Sequence, residues 1–80
     1  MTEEQRKALD YLKRHYLMKL VVACIDTPKS ARELEKITHQ SPKEIAEYLE
    51  ILERHQILQF VDGKWKPTEL GRRTYEKYFT

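Results

Sequence analysis

Two serine caps constrain what the middle of this chain can become. Ser30 is followed three residues later by Glu33, and Ser41 is followed by Pro42 and then Glu44. In such a pair the serine side chain accepts from the backbone N–H three residues on. The glutamate reaches back to the serine N–H, so donors that a helix start leaves open are satisfied. Proline suits the first helical position. The spacing predicts a short helix from Ala31 to about Thr38 and a second from Pro42 to about Arg54. His39 and Gln40 connect them in a three-to-four-residue turn. Ala31, Leu34 and Ile37 are the expected inward residues of the first; Ile45, Leu49, Leu52 and Gln56 recur at helical spacing in the second.

Downstream, residues 57–61 read as a strand. Asp62-Gly63 is a strong hairpin signal, because both central residues of a type I′ turn need positive φ. A two-residue turn sets Val61 opposite Lys64, Phe60 opposite Trp65 and Gln59 opposite Lys66. Alternation across the pleat then places Leu58, Phe60 and Trp65 on the inner face and Lys64 and Lys66 together on the other. Pro67-Thr68 closes the hairpin. Thr68 caps a last helix over residues 69–79, with Leu70, Thr74 and Tyr78 along one side and Tyr75 and Phe79 beside them.

Upstream, residues 2–25 read as one long helix. Leu9, Leu12, Tyr16, Leu20 and Ala23 form one apolar stripe, and Tyr11, Met18, Val22 and Ile25 form another. A helix apolar nearly all round must be covered on more than one side. Either the domain wraps it, or a second subunit covers it. The dimer alternative places Tyr11, Met18, Val22 and Ile25, with Tyr75, Tyr78 and Phe79, at the shared interface.

A chain of 80 residues implies one domain, here spanning 1–80, with a core worth only roughly 3–5 kcal/mol net. The single cysteine, Cys24, excludes an intrachain disulfide and metal-type cysteine spacing, and fits a reducing, cytoplasmic setting. No signal-peptide pattern opens the sequence, and the longest apolar run, residues 16–25, contains Lys19 and is too short for a bilayer. Dense charge, 35% of residues, with two glycines and no asparagine is a composition found in thermophilic proteins. His15, His39 and His55 lie far apart, and no glycine-rich phosphate loop or nucleophile–base pair is present. The expectation is therefore a protein that is not an enzyme, without cofactor, metal or small-molecule ligand. Cys24 is read as a small packed hydrophobe.

The order helix, helix, helix, strand, strand, helix resembles the winged helix-turn-helix superfamily, in the style of small archaeal and bacterial regulators. The resemblance rests on Ser30-Ala-Arg-Glu-Leu34, Ser41-Pro-Lys-Glu-Ile45, residues 49–58 and the Pro67-Thr-Glu-Leu-Gly-Arg-Arg73 junction. It implies a mainly α domain with a small β-hairpin: long first helix about 2–25, helix-turn-helix about 30–55, wing 57–67, last helix 69–79. It also implies a homodimeric transcriptional regulator that sets the second helix of the pair in the DNA major groove and the hairpin along the backbone.

The charges answer that implication unevenly. On the second helix, Lys43, Glu47, Glu50 and Arg54 point outward, and between Ser41 and Arg54 two basic residues face four acidic ones. That balance is unfavourable where neutralising cations supply most of the affinity. In one reading Gln40, Ser41 and Lys43 reach bases or phosphates, Glu47 is tied back by Lys43 or accepts from a cytosine amino group, and Arg54 contributes further along. In the other, Lys43–Glu47 and Glu50–Arg54 are i,i+4 pairs on a solvated face. Lys64 and Lys66 make a basic hairpin, and Lys29, Ser30 and Arg32 surround a helix N-terminus that favours phosphate. The alternative to DNA is a protein-interaction module in a larger assembly.

Overall fold

Lys13 and Arg14 break what the hydrophobic pattern reads as one long helix. The computed structural model describes residues 2–79, so Met1 and Thr80 of the expected domain lie outside the described residues. The chain is mainly helical with one small antiparallel hairpin. Helices α1 (Glu3–Leu12), α2 (His15–Ala23), α3 (Ala31–Thr38) and α4 (Pro42–Arg54) precede strands β1 (Leu58–Val61) and β2 (Lys64–Pro67), and α5 (Glu69–Phe79) follows.

The break has a cause in helical phase. Ala8 and Leu12 are the buried residues of α1; Leu17, Leu20 and Val21 are those of α2. Leu12 and Leu17 would lie about 140° apart on a continuous helix. No single straight helix could bury both sets against one core. Arg14, extended at φ −78° and ψ 119°, resets the phase, and Tyr16, expected inward, is left 37% exposed.

Both serine caps form as the sequence dictates. Ser30 accepts from Glu33 N and Ser41 from Glu44 N, and each glutamate side chain accepts from its serine N–H. His39 adopts a left-handed conformation (φ 58°) in the turn, doing what a glycine would do there. Leu34, Ile45, Leu49 and Leu52 are buried, as their spacing predicts. Ile37 is not: it is 48% exposed, and Thr38 is buried in its place. Thr38 can go inside because its hydroxyl donates to Leu34 O at 2.7 Å.

The hairpin has the expected register, with Phe60 opposite Trp65 and Val61 opposite Lys64. Asp62 and Gly63 both have positive φ. Leu58 is buried, but Phe60, expected inside, is 53% exposed. It stands two strand positions further toward the tip, roughly 7 Å beyond Leu58, where its ring rests on Trp65 at 5.0 Å. One pairing has no signature in the sequence. Lys29 N donates to Trp65 O and Trp65 N to Lys29 O, fastening the segment before α3 to the open side of β2.

Packing closes around Leu12, Leu17, Leu20, Leu34, Ile45, Leu52, Ile57 and Leu58, all nearly inaccessible to solvent. Helix α1 lies on α5, and α2 lies against α3 and α4. Helix α5 crosses the backbone at Ile57 so closely that a Cβ on Gly71 would collide with the Ile57 carbonyl.

Candidate nucleic-acid interface

The Lys29–Trp65 pairing brings together cations that are far apart in sequence. It holds the start of α3 beside β2, so Lys29 and Lys64 converge on Glu33. The Glu33 carboxyl is held below the usual carboxylate range, first by hydrogen bonds from the Ser30 backbone and hydroxyl and then by the Lys64 and Lys29 charges. Arg32 is exposed on the same short helix, Lys64 is exposed and Lys66 half-buried. Among the described residues none of these cations is held in an ion pair. Lys29 Nζ donates to Thr27 O. The result is a cationic edge from the α3 N-terminus to the hairpin, suited to oxyanions by charge and by the open N–H groups of the helix end.

At the start of α4, Ser41 is committed to its cap, and Lys43 is exposed. Gln40 departs from expectation: its Oε1 is buried and accepts no hydrogen bond among the described residues, so this oxygen is not offered to a ligand. Along the outer face of α4, Arg54 Nη2 meets Glu50 Oε1 at 2.7 Å, while Glu47 is exposed without an ion pair among the described residues. The outer face thus neutralises its own distal cation.

The expected interface residues divide. Tyr11 stacks on His55 with ring centroids 4.0 Å apart, and the Arg14 guanidinium lies over the Tyr11 ring, 4.8 Å from its centroid. Ile25, Tyr75 and Phe79 pack against the domain's own core, and Tyr75 stacks on Phe79. Lys77 lies over the Tyr78 ring. Only Met18 and Val22 remain in an open apolar groove, joined there by Ala23 and by Ile37 of α3. Sequence periodicity assigned Ile37 to the core, so this grouping had no signal before the α2–α3 packing was known.

Cys24 is buried and donates toward Leu20 O; burial pushes its thiol up to about 11. Such a thiol is a poor nucleophile at neutral pH. Among the described residues, no helix is long and apolar enough to cross a membrane. Comparison with family models, with curated proteins and with solved structures finds no match for this chain.

Proposed function

We propose that this chain is a winged helix-turn-helix protein that binds duplex DNA as a homodimer and regulates transcription. The cationic edge of Lys29, Arg32, Lys64 and Lys66 carries the reading, because the Lys29–Trp65 pairing brings cations from separate elements together around one carboxylate, Glu33, and none of them is held in an ion pair among the described residues. The element order supports it, with α3 and α4 as the helix pair and β1–β2 as the wing. In this account Lys43, at the exposed tip of α4, enters the groove with the backbone N–H groups of that helix start. Glu47 and Arg54 lie further along the helix and contribute less. Fluorescence anisotropy with a labelled random-sequence duplex at low salt tests the reading. Saturable binding is expected, weakening steeply with salt; no binding to any duplex at low salt refutes it.

A second reading, a protein-binding module, is favoured by one observation. A groove between α4 and the hairpin is lined by Ala46, Leu49, Glu50, Glu53 and Trp65, and Glu53 also borders the exposed Phe60 with Glu69. An apolar floor with an acidic rim suits a basic segment of another protein. Absent duplex binding, together with peptide binding that Phe60→Ala abolishes, would select this reading.

A further inference from the structure

Lys13 and Arg14 make up the whole junction between α1 and α2, and both are exposed. Two aromatic contacts fasten that junction along α4. Tyr11 stacks on His55 at 4.0 Å, and Tyr16 meets Tyr48 with ring centroids 4.8 Å apart. Tyr48 and the C-cap His55 lie seven residues apart and so fall on one side of the helix. Ala46 and Glu53 share another side, about 160° around, and line a groove with Ala31 and Trp65. On that second side the start of α3 and the hairpin bring Lys29, Arg32 and Lys64. The outward residues Lys43, Glu47 and Arg54 lie between the two sides. Helix α4 thus has cations along both flanks, supplied by elements that meet only in the fold.

Neither junction cation is held in an ion pair among the described residues. The Arg14 guanidinium lies over the Tyr11 ring, 4.8 Å from its centroid. Stacking of this kind fixes the guanidinium plane and leaves its N–H edges for an oxyanion. The carboxylates on this side are Asp10, one turn back along α1, and Glu44 and Glu47, which act on Tyr48. Glu44 is committed to the Ser41 cap.

We propose that the α1–α2 junction is a second phosphate-contacting surface. A helix about 10–12 Å across fills a major groove about 12 Å wide, so a phosphate strand passes each flank. With α4 entering the groove by its tip, Lys13 and Arg14 take the backbone on one flank, and the edge of Lys29, Arg32 and Lys64 takes the other. Cations on both flanks supply the neutralisation that the outer face of α4, with Arg54 tied to Glu50, lacks. The inference rests on the duplex-binding reading and adds to its contact a pair of residues outside the helix pair and the hairpin.

Fluorescence anisotropy with a labelled random-sequence duplex across a salt series tests it, with circular dichroism to confirm folding. Lys13→Ala with Arg14→Ala should reduce the slope of log affinity against log salt by about 4, two cations being lost from each protomer of the dimer. All duplexes should weaken alike. Lys13→Ala alone should remove about half of that slope change, and Arg14→Lys, which keeps the charge, should leave the slope in place. Lys77→Ala, on α5, which packs on α1 and β2, should leave it in place too. A double variant as steep as the wild type overturns the proposal, and so does a loss in Lys77→Ala equal to that in Lys13→Ala; in both cases the duplex reading stands. A wild type that binds no duplex removes that reading and the junction contact with it.

Discussion

The outer face of α4 and the edge from α3 to the hairpin are made from the same residue types, yet they use charge differently. On α4, Glu50 sits four residues before Arg54 and neutralises it at 2.7 Å, an arrangement that one helix can form by itself. At the edge, Lys29, Lys64 and Lys66 come from two segments that meet through a backbone pairing; they outnumber the one carboxylate, Glu33, that Lys29 and Lys64 act on, and none is held in an ion pair among the described residues. Local sequence produces balanced surfaces, whereas tertiary juxtaposition produces concentrated ones. A binding reading therefore belongs to the edge and the α4 tip rather than to the whole of the helix.

The largest effect that would break this comparison is a charge reversal at the edge. Lys64→Glu with Lys66→Glu should lower duplex affinity about a hundredfold per half-site at low salt, taking two charge-assisted contacts in each protomer at roughly 1.5 kcal/mol each. Anisotropy titration would measure it, and unfolding curves should barely move.

Next come the caps, which fix the helix ends that the edge and the tip depend on. Ser30→Ala and Ser41→Ala should each cost about 1 kcal/mol of stability, a drop of roughly 4–8 °C in melting temperature for a domain of this size. If either change is silent, the helix starts are held by packing instead.

Arg54→Ala sharpens the comparison from the other side. An exposed i,i+4 pair contributes about 0.3–0.5 kcal/mol, so stability should fall by no more than that, and duplex affinity by less than roughly twofold. A tenfold loss would place the distal face of α4 in the interface after all.

One pH dependence originates in the core. Burial raises the Cys24 thiol to about 11 in the folded chain, above its ordinary value of 9.0. The folded state then holds its proton where the unfolded chain has lost it, so stability falls as pH rises from about 9 toward 11. Chemical denaturation across that range should show the decline, and Cys24→Ala should remove that part of it.

Much of this molecule was legible from local chemistry. The caps at Ser30 and Ser41, the Asp62-Gly63 turn and the hairpin register depend on residues a few positions apart, and the structure has them as expected. What escaped depends on distance in sequence. The phase reset at Arg14 exists because two hydrophobic sets must face one core. Ile37 and Phe60 fit the apolar pattern but are covered on one side only, Ile37 beside α2 and Phe60 on Trp65, so each stays about half exposed. Gly71 is required by the passage of α5 over the Ile57 carbonyl, a contact no spacing rule reveals. The candidate edge was legible as separate basic residues; that Lys29 stands beside the hairpin was not, since its pairing with Trp65 spans half the chain.

The most direct measurement is the salt dependence of duplex binding, wild type against Lys64→Ala with Lys66→Ala. The account predicts linear weakening of log affinity with log salt for the wild type, and a slope reduced by about 4 in the double variant, two lysines being lost from each protomer of the dimer. An identical slope for the two proteins would contradict it, since the hairpin lysines would then make no contact with phosphate.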